Sequence, residues 1–231
     1  MSSDTIKSGW GYIGKIPAKG DFIKHGLPKS CTDLLHDWQQ AVIAVSREQL
    51  QGSWSSLYLN APIWNFSLDA TLTGESTLIG SMIPSVDAAG RYFFFTVARL
   101  VEGDAIVYWQ NRTWAEDSQF FALSVLEDSF SFEQWQHGLS TMKGDLSVVN
   151  EFNDKVKLKS LGSDSYIFTE YTVIDSNNLL KYLINEKHDK PCYWWTDGND
   201  TIEPFMFISN GLPSIGKYSA MLDGQWAKWN W

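Results

Sequence analysis

The stretch that decides the fold runs from Gly9 to Phe22 and reads GWGYIGKIPAKGDF. It combines four glycines, one proline and one aspartate with apolar and basic residues. Glycine is typical of positions where the backbone takes a positive φ or passes close to another segment. The density of glycine therefore predicts a specific loop over residues 9–29, preceded by a frayed end at residues 1–8.

A second stretch has the same character. Residues 84–91 read PSVDAAGR, and a mostly apolar run follows them. Each stretch carries one acid near a glycine, Asp21 in the first and Asp87 in the second. We expect the two loops to lie side by side at one edge of a sheet, with Arg91 reaching Asp21 or Asp87. Arginine is suited to this role because its planar fork matches a carboxylate.

Composition points to one domain over residues 1–231 and against a nucleic-acid ligand. The chain is 44% hydrophobic and 19% charged, which is ordinary for a globular protein. Twelve tryptophans are unusual and predict a core of large rings, an exposed aromatic surface, or both. Net charge is −9, of which residues 116–231 carry −8. Phosphate contacts dominate nucleic-acid affinity, so an acidic chain is a poor candidate. The exception is the N-terminal loop, which five lysines make basic: Lys7, Lys15, Lys19, Lys24 and Lys29.

Cysteine use and hydropathy predict a cytoplasmic protein without membrane insertion. Cys31 and Cys192 form no CxxC or metal-binding spacing, which favours a reducing compartment. Residues 1–9 are polar and lack the apolar region of a signal peptide. No apolar run approaches the ~20 residues that a transmembrane helix needs.

Hydrophobic periodicity predicts alternating strands and helices. The predicted helices span residues 30–50, 113–126, 131–142, 176–185 and 213–223. The predicted strands span residues 62–68, 77–83, 92–100, 166–173, 192–196 and 205–208, with a hairpin turn at 197–200 and a linker at 143–163. Such a mixture favours an α/β fold, a three-layer α/β/α sandwich around a mixed sheet.

Three kinds of site can be compared with the sequence: a phosphate-binding loop, a metal site and a catalytic pair of carboxylates. Gly9-x4-Gly14-Lys15 nearly matches a phosphate-binding loop, but Ile16 stands where the motif needs Ser or Thr, so neither nucleotide nor another cofactor is expected. The histidines and cysteines have no metal-ligand spacing, so no metal site is expected. Asp21 and Asp87 form a candidate carboxylate pair for a glycan hydrolase, although acids next to glycine more often cap turns.

The segment 224–231 is rich in tryptophan. Trp226, Trp229 and Trp231 fit two interpretations equally well: they pack onto the body, or they face a partner, since aromatic residues are enriched at interface hot spots.

The order of motifs along the chain resembles the TagF family, accessory proteins of the bacterial type VI secretion system. The motifs are GxxGKIPxxGDF at 11–22, Trp38 in the first helix, APxW at 61–64 and PSVDxxGRY at 84–92, with weaker echoes at 194–196, 211–213 and 221–223. One departure is Phe94, where the family pattern leads us to expect a proline. The resemblance thus spans most of the chain.

The resemblance implies a non-enzymatic, cytoplasmic, post-translational repressor of secretion with the three-layer fold, acting by binding a forkhead-associated scaffold protein. The alternatives are the glycan hydrolase and a structural subunit of the secretion apparatus. The motif residues implied to be structural or partner-binding are Gly11, Gly14, Lys15, Pro17, Gly20, Asp21, Phe22, Pro84, Ser85, Asp87, Gly90 and Arg91. The expected partner contacts are Trp10, Tyr12, Lys19 and Lys24.

Overall fold

Successive side chains of the central strands point into two hydrophobic cores, one on each face of the sheet. The structure is a computed structural model, and it describes residues 9–74, 76–142, 146, 158–160, 166–168 and 176–231. Its strands are β1 (Gly11–Gly14), β2 (Ile23–His25), β3 (Trp64–Leu68), β4 (Thr77–Ile83), β5 (Phe95–Val101), β6 (Leu158–Ser160), β7 (Tyr166–Phe168), β8 (Pro191–Thr196) and β9 (Phe205–Asn210).

The helices that the structure describes are mostly short, and one long helix dominates. They are α1 (Lys29–Leu50), α2 (Trp54–Leu59), α3 (Ala70–Thr73), α4 (Ala105–Gln110), α5 (Trp114–Ser124), α6 (Phe132–Thr141), α7 (Ser176–Lys187) and α8 (Ala220–Asp223). Single 3₁₀ turns add Gln51–Ser53, Ile215–Lys217 and Trp226–Trp229.

Seven strands form one sheet in the order β2-β1-β5-β4-β3-β8-β9, and every neighbouring pair in it is antiparallel. The prediction of a mixed sheet is therefore wrong. Parallel neighbours need a long crossover. Here β4 and β5, and also β8 and β9, follow each other as hairpins, and β3 and β4 are joined through the short α3. Strands β6 and β7 pair separately with each other.

Helices cover both faces of the sheet, which confirms the α/β class and the three layers in a single domain. On β8, Cys192 and Trp194 enter one core, and Tyr193 and Trp195 enter the other. This is the two-residue period of a strand that is covered on both sides. We call the first the α1 core, because α1, α2 and α8 line it, and the second the α5 core, because α4, α5 and α6 line it.

Most of the predicted elements are confirmed at or near their predicted bounds, including α1, β3, β4, α5, α6, α7, β8 and β9. Four predictions need correction. Residues 9–29 are not one loop, because they contain β1 and β2. The strand predicted from Tyr92 begins at Phe95. Helices α2, α3 and α4 were not predicted, nor was strand β6, which lies inside the predicted linker. The single helix predicted over 213–223 is a 3₁₀ turn followed by α8.

Three predictions concern segments that lie wholly or partly outside the described residues. The proposed linker at 143–163 falls largely outside them, as does the part of the predicted strand beyond Phe168. Residues 1–8 also lie outside them.

The correction at residues 9–29 has a tertiary cause. Strand β1 pairs on one side with β5, from Gly11 opposite Ala98 to Gly14 opposite Phe95, and on its other side with β2. A short, glycine-rich segment has little strand propensity of its own. Its neighbours in the sheet supply the hydrogen bonds that make it a strand.

Candidate functional site

The two motif loops meet because of where their strands end. Strand β1 ends at Gly14, directly opposite Phe95 at the start of β5. The loop that leaves β1 (residues 15–22) and the loop that enters β5 (residues 84–94) therefore project from the same end of the sheet. A backbone hydrogen bond from Ala88 N to Lys19 O, 3.0 Å long, joins them. The expectation that the loops lie side by side is confirmed.

Asp87 is the centre of the contact between the loops. Its side chain is buried, and its Oδ1 accepts hydrogen bonds from the backbone N–H groups of Ala89 (3.0 Å) and Arg91 (2.9 Å). Its Oδ2 accepts from Lys15 Nζ at 2.9 Å and from Arg91 Nε at 2.6 Å. The expected contact between Arg91 and one of the two acids is thus confirmed for Asp87. We call Lys15, Asp87 and Arg91 the motif knot.

Arg91 also binds the first loop directly. Its Nη2 donates to the carbonyl oxygen of Gly20 at 2.5 Å, while its Nε holds Asp87. Lys15 reaches Asp87 from the other loop, and the two residues are far apart in sequence. The motif knot therefore ties residues 15–20 to residues 87–91 with charge-assisted hydrogen bonds, which are about twice as strong as neutral ones.

The electrostatics of Asp87 are those of a fixed anion. Burial alone raises its pKa, but the Arg91 N–H, the Lys15 ammonium, the Arg91 guanidinium and the Ala89 N–H outweigh that effect. Together they hold the pKa of Asp87 well below its ordinary value. A general acid needs a pKa raised towards neutrality. Asp87 therefore has the character of a structural carboxylate.

A buried tyrosine supports the base of the second loop. Tyr58 Oη donates to the carbonyl oxygen of Ser85, and the Ser85 N–H donates back to Tyr58 Oη, both at 3.2 Å. Its ring stacks on Trp54 with centroids 4.8 Å apart. Burial raises the pKa of Tyr58 far above its ordinary value, so it stays a neutral donor. Sequence reasoning missed this residue, because a tyrosine in a short helix carries no distinguishing signal.

The outer surface of the first loop carries the residues that remain accessible. Pro17, Lys19, Gly20 and Asp21 are exposed, and Lys19 Nζ lies 4.7 Å from the ring centroid of Phe132. Lys24, on edge strand β2, is exposed as well.

Phe22 is half-buried in an aromatic cluster beside this surface. Its ring meets the rings of His36 and Phe93 edge-on, each with centroids 5.2 Å apart. Phe22 therefore anchors the end of the first loop against α1 and the second loop.

Two of the four expected partner contacts are corrected by the structure. Trp10 and Tyr12 are only 4% and 3% exposed and belong to the α5 core, where Trp10 packs against Trp114 and Tyr12 against Trp135. Residues of β1 point alternately to the two faces of a covered sheet, so these rings are not available to a partner. Lys19 and Lys24 remain accessible.

The other motif residues are divided between the sheet and the loops. Gly11 and Gly14 are buried in β1, Ser85 is buried, Pro84 is half-buried and Gly90 is exposed. Asp21 and Asp87 are not equivalent, because Asp21 is exposed and Asp87 is enclosed by the motif knot.

The tryptophan-rich segment folds back onto the body. Trp226 packs on Phe205 with centroids 4.5 Å apart, and Trp229 donates its indole N–H to Asp223. Trp231 is 38% exposed and packs on Phe207. The packing interpretation therefore holds for Trp226 and Trp229, and Trp231 is both packed and accessible.

Within the described part of the chain, no group of three His, Cys, Asp or Glu side chains is placed to hold a metal ion. The helices described there are also too short or too polar to cross a lipid bilayer.

Comparison with known proteins bears on the family and the fold. Residues 11–142 match the model of the TagF N-terminal domain, described as type VI secretion system-associated. The fold is similar to the crystal structure of PA0076 from Pseudomonas aeruginosa PAO1, with a TM-score of 0.73, 24% sequence identity and 94% of each chain covered. No match was found among curated proteins. The matched domain contains both motif loops and spans more than half of the chain, and the protein therefore belongs to the TagF family of type VI secretion system-associated proteins.

Proposed function

We propose that this TagF-family protein is a post-translational repressor of type VI secretion, which acts by occupying a forkhead-associated scaffold protein and not by modifying it. The observation that carries the proposal is the state of the motif knot. The buried motif acid, Asp87, is held by Lys15, Arg91 and two backbone N–H groups. These charged motif residues thus hold the two loops together, and so they determine the shape of the surface that the loops form.

The geometry disfavours the glycan hydrolase. A glycosidase needs one carboxylic acid with a raised pKa facing a second carboxylate across a cleft. The pKa of Asp87 is lowered, and its oxygens are turned into the protein by four hydrogen bonds. Asp21 on the exposed loop has no such enclosure. This arrangement supports binding over acid–base chemistry.

The surface that we assign to the scaffold is the exposed side of the first motif loop with the adjoining edge strand. Its accessible cations are Lys19 and Lys24, and the half-buried Phe22 lies between them in sequence. Lys15 is excluded from this surface, since it is committed to Asp87. Complementary charge of this kind accelerates association and makes it sensitive to salt.

A charge-reversal pair tests this assignment with a matched control. Lys19→Glu/Lys24→Glu changes the charge on the proposed surface. Arg47→Glu/Lys187→Glu makes the same change on two exposed cations outside the proposed surface, one in α1 and one at the end of α7. Binding to the purified forkhead-associated scaffold of the same secretion system is followed by surface plasmon resonance at two salt concentrations.

We expect the first variant to associate about tenfold more slowly than the wild type, with a reduced salt dependence, and the control to bind as the wild type does. Equal association rates for both variants would exclude the motif surface. Absence of wild-type binding to the scaffold would contradict the proposed function itself. Stable, stoichiometric co-purification with the assembled baseplate would favour the structural-subunit alternative.

A further inference from the structure

The two edges of the seven-stranded sheet are built differently. Edge strand β2 has three residues, of which Lys24 and His25 are exposed. Edge strand β9 has six residues, FMFISN, without a charged residue or a proline. Proteins usually protect an edge by shortness, by charge or by proline, because its unpaired backbone groups can pair with another chain. Strand β2 follows this rule and β9 does not.

No strand in the described ranges pairs with the outer side of β9. The sheet ends at β9, which pairs with β8 from Pro191 opposite Asn210 to Thr196 opposite Phe205. Among the described residues, the backbone of β9 makes no hydrogen bond outside this pairing. The five residues before Asn210 are half-buried. Within the described part of the chain, the backbone donors and acceptors on one side of the strand therefore have no partner.

An exposed aromatic residue lies beside the middle of this strand. Trp231 packs edge-on against Phe207 with ring centroids 4.7 Å apart, and its indole N–H donates to the carbonyl oxygen of Lys217 at 2.7 Å. Although fixed by these contacts, Trp231 remains 38% exposed. A large, oriented and accessible aromatic side chain is typical of an interface hot spot.

We propose that β9 pairs with β9 of a second copy of this chain, antiparallel across a two-fold axis, to form a dimer. In such an interface the middle of the strand faces itself. A charged residue there would oppose its own like charge, and β9 carries none. The axis falls near Phe207, so the exposed Trp231 of each copy comes close to that of the other. This edge is remote from the motif surface, and the inference does not depend on the proposed function.

The charges at the two ends of the strand favour the antiparallel arrangement. The start of β9 follows the exposed acid Glu203, with Asp197 at the end of the neighbouring strand. The end of β9 lies beside the exposed Lys190, whose N–H donates to the Asn210 side chain. An antiparallel partner places its acidic end next to this lysine. A net charge of −9 per chain otherwise opposes self-association, so this complementarity matters.

Opposite charges introduced at Trp231 test whether two copies meet there. The full chain is prepared as wild type, as Trp231→Glu and as Trp231→Arg, with Leu59→Glu as a control at an exposed apolar residue of α2. Mass is measured by sedimentation equilibrium up to about 100 μM, a range in which a dimer of micromolar affinity is seen. Far-ultraviolet circular dichroism and the thermal midpoint verify that each variant folds.

We expect the wild type and the Leu59→Glu variant to be dimers, and each Trp231 variant to dimerise at least about tenfold more weakly, because like charges then meet at the axis. An equimolar mixture of the Glu and Arg variants should recover a heterodimer. The proposal is overturned by a wild type that remains monomeric at ~100 μM, by Trp231 variants that dimerise as the wild type does, by a mixture that stays monomeric, or by loss of the dimer in Leu59→Glu.

Discussion

Arg91 Nε lies 2.6 Å from Asp87 Oδ2, and the same guanidinium reaches the Gly20 carbonyl oxygen at 2.5 Å. Lys15 Nζ approaches the same carboxylate oxygen from the other loop at 2.9 Å. One buried acid is thus shared by two cations. This sharing determines how the fold should respond to mutation.

Removal of either cation should destabilise the folded protein only slightly. Removal of both should destabilise it by much more than the sum of the two single effects. Lys15→Met and Arg91→Ala each leave one cation on Asp87, so each should lower the thermal midpoint by about 2–4 °C. The double variant leaves a buried carboxylate uncompensated, and such charges are strongly destabilising. Differential scanning calorimetry of the wild type, the two single variants and the double variant measures the energetic coupling between Lys15 and Arg91. Lys29→Met, which breaks an exposed ion pair with Asp33, is the control and should change little. Strict additivity would contradict the shared role of Asp87.

The stability that Asp87 confers should depend on pH with a defined sign. Its pKa is lowered in the folded protein, so its contribution is complete above the ordinary aspartate pKa of about 4 and is lost as the pH falls below it. The free energy of unfolding of the wild type should therefore exceed that of Asp87→Asn at pH 7, and the gap should narrow by pH 3. Urea denaturation over this range measures it. A gap that widens in acid would be inconsistent with the motif knot.

Gly14 should not tolerate a side chain. Its φ is 137°, and a Cβ placed there would lie 2.0 Å from the Phe94 carbonyl oxygen. Gly90 also has a positive φ, 74°, but it faces open space. We expect Gly14→Ala to lower the free energy of unfolding by about 4 kcal/mol or more, because the backbone must shift. Gly90→Ala should lower it by only about 1–2 kcal/mol, the cost of local strain. Equilibrium urea unfolding compares them, and equal costs would rule out the close approach of β1 to Phe94.

Both cysteines should be unreactive until the protein unfolds. Cys31 and Cys192 are fully buried, and burial raises the pKa of the Cys192 thiol to about 12. Because the thiolate is the reactive form, a pKa of 12 against an ordinary ~8.5 lowers its fraction by about three orders of magnitude near neutral pH. Ellman's reagent should detect no thiol in the native protein and two thiols per chain in denaturant. Rapid labelling of the native protein would show that α1 or β8, which carry these cysteines, opens readily.

Elements with a strong local pattern could be predicted from sequence. Strand β4 has its predicted bounds, Thr77–Ile83, because an apolar run with β-branched residues is ended by Pro84. Helix α4 was missed because it is short and apolar all round, with four buried residues in six positions, so it shows no 3.6-residue period.

The candidate site could be predicted only in part, for a physical reason. The contact of Arg91 with Asp87 is local, since the two residues are four positions apart in one turn. The contribution of Lys15 depends on the pairing of β1 with β5, which no local pattern encodes. The same pairing buries Trp10 and Tyr12, and for this reason their predicted exposure was wrong.

The most direct test of repression by occupancy is its stoichiometry in cells. Secreted type VI proteins are quantified while the level of this protein is raised stepwise, at two levels of the forkhead-associated scaffold, with both proteins counted by quantitative immunoblot. Occupancy predicts half-maximal repression at about one protein for every two scaffold molecules, and a proportional shift of that point when the scaffold is raised about tenfold. Complete repression at about one protein per ten scaffold molecules, unmoved by additional scaffold, would contradict the account, because only a catalyst acts on many scaffold molecules in turn.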